Sequence, residues 1–223
     1  MVSTEVVEAD IMEEDEFKNA IKKMKEESPS RNFVESVDLA INLRDINLQD
    51  PSKRFQLEVN LPHPLEKEVK ICVLGEGAHL TEAGPIASRV ITKEELENIS
   101  REPKVAKKLA QDYDYFLATA SLMPTIGRSL GKYLGPRGRM PKPVPPAAPI
   151  EPLIKNYQSI VQVRLRQSPV IHVRVGTVAM NNDAIVENAM IVLRNVENRL
   201  EKGPNNIRSI YVKTTMGPAI KVE

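Results

Sequence analysis

Proline sets the first limit on what this chain can build. The stretch LMPTIGRSLGKYLGPRGRMPKPVPP, residues 122–146, opens as a short helix: Pro124 suits a first helical turn, and Ile126, Leu130 and Leu134 recur at helical spacing. It cannot continue as one, because Gly-Pro and Pro-x-Pro pairs fix φ and remove amide donors. The pattern predicts a helix that breaks into a loop, and a loop that stiffens into an extended, polyproline-like connector. Leu61-Pro62-His63-Pro64 halts a strand in the same way.

These breaks separate stretches of different texture. Residues 14–27 place Phe17, Ala20, Ile21 and Met24 on one face of a surface helix, ended by Ser28-Pro29. Val37, Leu39, Ile41 and Leu43, then Phe55, Leu57, Val59 and Leu61, alternate as two strands with one buried face each. The polar RDINLQDPSKR between them predicts that the two strands pair antiparallel through that loop. Next, VKICVLGEG and YFLATA are near-continuous apolar strands, the look of strands covered on both faces. Between them lie a short strand at Val90-Ile91, a helix opened by a capping box at Thr92, and a helical pattern over 103–112. This strand–helix alternation reads as a small parallel α/β layer. After the prolines, IEPLIKNYQSI is helical, and IVQVRLR (160–166) and VIHVRVG (170–176) alternate as strands. A long helix follows over 182–201, and IRSIYVK is the last strand.

The economical architecture is mixed α+β and α/β in two domains. A split α+β domain uses both chain ends, residues 1–65 and 155–223, and an α/β domain, 66–154, is inserted into it. The crossings fall near Pro62–Glu66 and Pro143–Pro152, a double hinge of stiff segments suited to rigid-body swinging.

A 41% hydrophobic and 27% charged chain is ordinary for a globular protein, and no apolar run approaches the roughly 20 residues a bilayer requires. The acidic start lacks the basic-then-apolar pattern of a secretory signal, and the single Cys72 fits a reducing cytoplasm. Net charge is +1, but it is unevenly spread. Residues 1–30 hold four basic side chains against nine acidic, whereas 160–223 hold nine against five. Residues 124–142 carry Arg128, Lys132, Arg137, Arg139 and Lys142 with no acidic residue. That loop is either a solvated surface run or a secondary basic site facing phosphate.

Enzyme motifs are incomplete. Gly75-Glu76-Gly77 follows a strand, as in a dinucleotide-binding turn, but Leu80 occupies the next glycine position. His63, His79 and His172 are far apart, and with one cysteine they make no zinc spacing. The expectation is no catalytic residue, no metal and no cofactor. The alternative is a nucleotide- or cofactor-binding enzyme that uses the inserted domain, with Gly75 and Gly77 beneath a phosphate.

The segments GRSLGKYLGPRGRMPKPVP (127–145), IHVRVG (171–176) and IYVKTTMGPAIKV (210–222) resemble the ribosomal protein L-one family. RNFVESVDLAINLRD (31–45) and LPHP (61–64) extend the likeness over nearly the whole chain. The Lys142-Pro-Val-Pro continuation is closer to archaeal members than to bacterial ones. The resemblance implies the split-domain fold with a Rossmann-like three-layer insertion. It also implies a cytoplasmic, ribosomal, non-enzymatic protein, monomeric when free and with no membrane attachment. Its implied partners are large-subunit ribosomal RNA at the mobile stalk, exit-site tRNA whose release it assists, and its own mRNA, which it represses.

The family's RNA surface, carried over, falls on Arg31, Phe33, Ser209, Lys213, Thr215, Met216 and Gly217, with His172 nearby by its match to IHVRVG. Arg164, Arg166 and Arg174 are added from charge and proximity in sequence. The chemistry suits A-form RNA, whose shallow minor groove offers 2′-hydroxyls to short polar groups. Thr215 and Ser209 supply such groups, Met216 can pack on a ribose or base, and Gly217 is expected to let the backbone approach the RNA. Structural roles compete at each position. TTMGP can be only a turn, Phe33 a core residue, His172 a satisfied structural histidine, and the three arginines a solvated face.

Overall fold

In the computed structural model, which describes residues 4–65, 69–76, 83–145 and 149–222, the alternating Val37, Leu39, Ile41 and Leu43 are buried on one face of β1 (Ser36–Leu43). Ser36, Asp38, Ala40 and Asn42 stay partly exposed on the other face. A slip of one residue would exchange the two sets, so burial fixes the register. Chain contacts divide the protein into two units, Met1–Glu66 with Ser159–Glu223, and Lys67–Gln158.

In the first unit β1 is an inner strand. It pairs antiparallel with β8 (Val170–Thr177) on one side and with β9 (Ile207–Thr214) on the other, and β10 (Ala219–Lys221) extends β9. Two helices cover the buried face. Phe17, Ile21 and Met24 of α1 (Thr4–Glu27) join the strand residues in one core. A stripe from Ile185 to Val196 on α7 (Asn182–Arg199) completes it. The antiparallel pairing of β1 with β2 (Phe55–Asn60) expected from sequence does not form. Both edges of β1 are already taken, and β2 pairs instead with β7 (Ile160–Leu165) as a separate two-stranded sheet. The intervening residues 44–54 are long enough to permit this. They include a 3-10 turn, Pro51–Lys53, opened by Asp50, whose Oδ1 accepts the Ser52 N–H at 2.9 Å.

Asn188, fully buried on α7, secures the first crossing. Its Oδ1 accepts the His63 N–H at 3.1 Å, and its Nδ2 donates to the carbonyls of His63 (3.0 Å) and Val175 (2.8 Å). Val175 is the residue skipped where the β1–β8 register shifts, so its carbonyl needs a partner from outside the ladder.

The second unit holds a parallel sheet in the order β4-β3-β5-β6, made of β3 (Ile71–Leu74), β4 (Arg89–Ile91), β5 (Tyr115–Thr119) and β6 (Lys142–Val144). Alternate residues of β3 enter different cores. Cys72 and Leu74 pack with α2 (Lys93–Arg101), α3 (Pro103–Asp112), α4 (Met123–Ser129) and α5 (Gly131–Leu134). Ile71 and Val73 pack with Ile154 of α6 (Ile150–Ser159). Both faces are therefore covered, which accounts for the unbroken apolar run. Thr92 caps α2, its Oγ1 accepting the Glu95 N–H at 3.3 Å. The expected polyproline connector is partly a strand: Lys142-Pro143-Val144 forms β6 at the sheet edge, where a proline leaves no ladder donor missing on its open side. Helix α6 belongs to this unit, so the return crossing lies at Gln158–Ser159 rather than at 154/155.

Candidate nucleic-acid interface

The chain ends meet at one turn. Between β9 and β10, residues Thr215-Met216-Gly217-Pro218 fold back over the start of β1. The Thr215 N–H donates to the Ser36 carbonyl at 3.0 Å, and the Ser36 N–H donates to Thr215 Oγ1 at 3.2 Å. The Met216 N–H donates to Glu35 Oε1 at 2.9 Å, and Arg31 Nε lies 3.7 Å from that same oxygen. Glu35 itself is only 5% exposed. With its backbone pinned, the turn holds the Met216 side chain 62% exposed in water, and Phe33, two residues before Glu35, is 54% exposed. An ordered backbone carrying exposed apolar side chains is a surface set up to be covered. Phe33 is accordingly not a core residue.

Gly217 has a packing role within the protein that the sequence did not reveal. A Cβ at this position would come within 2.5 Å of Ser28 Oγ and closer still to Thr214 Oγ1, the buried hydroxyl that accepts the Gly217 N–H at 2.9 Å. The missing side chain makes room for the protein's own hydroxyls.

From this turn the outer face of the four-stranded sheet extends in rows set by register. Arg174, Asp38, Lys213 and Ala219 form one row, and His172, Ala40, Tyr211 and Lys221 the next. Val170, Asn42 and Ser209 form the third, where Asn42 Nδ2 donates to Ser209 Oγ at 2.9 Å. His172 is exposed on this face. The structure thus gathers Arg31, Thr215, Met216 and Gly217 at one end of β1, and Ser209 and His172 toward the other. Arg164 and Arg166 lie beyond His172, lining a groove with it. Glu35, Tyr211 and Lys221 were not singled out from sequence. Tyr211 and Lys221 were legible in principle, as alternate positions of strands ending in the same turn. A buried glutamate as turn anchor had no sequence signal.

The basic stretch 124–142 separates into two kinds of residue. Arg128, Lys132 and Lys142 are exposed. Arg139 is structural: its Nη1 donates to the carbonyls of Ala110 (3.1 Å), Gln111 (3.2 Å) and Tyr113 (2.7 Å), and its Nη2 to Asp114 Oδ1 (3.2 Å). It closes the C-terminal end of α3, where free carbonyls favour a cation. Gly138 makes this possible. At φ 65° it ends the preceding helical turn, with Gly138 N–H to Gly135 O at 2.9 Å and Arg139 N–H to Leu134 O at 3.0 Å. Arg137 donates from Nη1 to the Tyr133 carbonyl at 3.0 Å. A row of five free cations facing phosphate is therefore not what this stretch presents.

Compared with known families, the chain matches the Ribosomal protein L1p/L10e family over residues 21–218. It belongs to that family. Among curated relatives of the L1p/L10e protein, the large ribosomal subunit protein uL1 of Pyrococcus horikoshii is 48% identical over 205 residues, covering 92% of this chain and 94% of the relative. That of Thermococcus kodakarensis is 46% identical over 205 residues, covering 92% and 95%. That of Methanothermobacter thermautotrophicus is 44% identical over 208 residues, covering 93% and 98%. The likeness to archaeal members extends across nearly the whole chain, and the family is one of structural ribosomal proteins, not of enzymes.

The dinucleotide alternative also loses its geometry. The Gly75 N–H donates to the Ile91 carbonyl at 3.2 Å, so it is not turned toward a phosphate, and Gly77 lies outside the described residues. Among the described residues, no three of His, Cys, Asp and Glu gather as a metal site, and no helix is long and apolar enough to cross a membrane. Burial pushes the Cys72 thiol up to about 12, which suits a packing residue and not a nucleophile.

Proposed function

We propose that this L1p/L10e protein is a structural constituent of the large ribosomal subunit, and that it binds the subunit's RNA through the unit made of both chain ends. One observation carries the reading: the pinned turn with Met216 exposed beside a sheet face of basic and polar side chains. Hydrogen-bond capacity remains there for a partner. Ser209 Oγ accepts from Asn42 and keeps its own O–H to donate, and Thr215 Oγ1 keeps a lone pair after accepting from Ser36. Such groups match 2′-hydroxyls and base edges in a shallow minor groove, while Met216 and Phe33 cover ribose or base surface. Contacts of this kind depend little on net charge, which reconciles a sum of +1 with RNA binding.

The finer parts of the proposal follow from the family. Cytoplasmic and monomeric when free, the protein sits at the mobile stalk of the ribosome, assists release of deacylated tRNA from the exit site, and represses its own mRNA. The inserted unit is the movable arm, joined through two chain crossings.

The test is binding to purified large-subunit ribosomal RNA, with free nucleotides as the comparison. The intact protein is expected to retain the RNA and ignore nucleotides. A second protein with Lys67–Gln158 replaced by a short glycine linker is expected to bind equally well, since the Leu61 N–H already meets the Ser159 carbonyl at 2.9 Å. A folded shortened protein that ignores the RNA would move the site to the insertion.

A further inference from the structure

The outer sheet face does not end at His172. Past it, a groove is lined by Arg54, Arg164, Arg166, Gln167, Ser168 and His172, among others, and none of its lining residues is acidic. Arg54, the residue before β2, comes from far along the sequence to meet a continuous stretch: the end of β7, the Gln167-Ser168-Pro169 link and the first half of β8. Arg54 is exposed, and its Nε donates to the Leu48 carbonyl at 2.9 Å. That bond steadies the guanidinium and leaves its terminal N–H groups for another acceptor. Arg166 is exposed at the end of β7, and Gln167 and Ser168 add neutral polar groups. Planar guanidinium groups beside neutral polar groups match the oxygens of a phosphodiester.

The position matters as much as the chemistry. The Thr215–Gly217 turn stands at the Ser36 end of β1, whereas the groove adjoins the Val170–Asn42 row at its other end. Six residues of strand separate the two, about 20 Å at the usual rise. A face of that length bears on several successive nucleotides, so one RNA can reach both ends.

We infer that the Arg54–Arg166 groove is a second RNA contact that grips backbone phosphate, while Thr215 and Met216 at the other end of the sheet add hydroxyl and apolar contacts. This rests on the RNA-binding reading above, and it adds Arg54 to the interface. It also gives the groove arginines a salt dependence that the Thr215 and Met216 contacts lack. Phosphate neutralisation releases counterions and makes affinity fall with salt, whereas hydroxyl and apolar contacts do not.

The experiment measures the affinity of the full-length protein for purified large-subunit ribosomal RNA from 0.05 to 1 M KCl, settings chosen on the order of the range where the counterion term is visible. For Arg54→Gln/Arg166→Gln the slope of log affinity against log salt is expected to become shallower by roughly 1.5, with affinity down about 30-fold at 0.1 M and little changed at 1 M. Arg166→Gln alone, at an exposed position, is expected to give about half that change in slope. Met216→Ala is expected to weaken binding at every salt concentration with the slope unaltered. A double variant with the wild-type slope would overturn the phosphate contact while leaving the RNA reading intact. A wild-type protein that fails to bind the RNA would overturn both.

Discussion

Replacing Asn188 with leucine keeps the shape of the side chain but removes both of its polar atoms. Three backbone groups then lose their partner: the His63 N–H, the His63 carbonyl and the Val175 carbonyl. They are not equivalent. Val175 is fully buried and lies where the ladder skips a residue, so its carbonyl bears the full cost of an unmet acceptor, about 1–3 kcal/mol. His63 has a 41% exposed side chain, so water can reach its backbone, and each of its two bonds contributes about 0.5 kcal/mol. The total is roughly 2–4 kcal/mol, or about 6–12 °C in Tm at about 3 °C per kcal/mol for a unit of this size. With no tryptophan in the chain, urea unfolding is best followed by far-UV circular dichroism. The expected result is a lower midpoint with an unchanged m-value. A loss below about 1 kcal/mol would refute the reasoning, because it would mean the Val175 carbonyl is satisfied without Asn188.

Other substitutions separate structural from binding roles. Gly217→Ala is expected to cost the terminal unit about 1–3 kcal/mol through its clash with Ser28 and Thr214, and to weaken RNA binding as the turn shifts; unchanged thermal stability would refute this. Arg139→Ala is expected to destabilise the inserted unit by roughly 2–3 kcal/mol with RNA affinity unaltered, and Arg139→Lys to restore little, because one ammonium cannot reproduce the fork. Denaturant titration and RNA binding on the same samples check both statements. Cys72 is expected to resist thiol reagents at pH 8 until the inserted unit unfolds. Its thiol is held to about 12 when folded, against an ordinary 9.0, so the stability it confers is intact below pH 9 and is lost as pH rises toward 12. Rapid labelling of the native protein would contradict its burial.

What sequence could reveal depended on whether a feature was periodic. The face alternation of β1, the stripe on α7 and the two-sided burial of β3 follow from spacing alone, and each formed as the pattern required. Pairing partners are not periodic. The β1–β2 hairpin failed because local order says nothing of β8 and β9, which occupy both edges of β1. The proline run misled for a related reason: fixed φ fits a polyproline segment and an edge strand equally, and only the open side of β5 chose between them. At the candidate interface, the TTMG string pointed to the turn, but not to the buried Glu35 beneath it or to the inward use of Gly217. Those depend on neighbours distant along the chain. The basic stretch looked uniform in sequence because charge is visible there and hydrogen-bond commitment is not. Arg139 and the exposed Arg128 read alike until the carbonyls of Ala110 and Tyr113 are in place.

The central place of β1 has a bearing on how the polypeptide is made. Its two neighbours come from residues 170–177 and 207–214, so Ser36–Leu43 leaves the exit tunnel long before either is synthesised. The strands of the inserted sheet all lie within Ile71–Val144 and can assemble earlier in translation. The middle of the chain is thus the part a nascent polypeptide completes first. The last hairpin to emerge closes the surface that the first strand began.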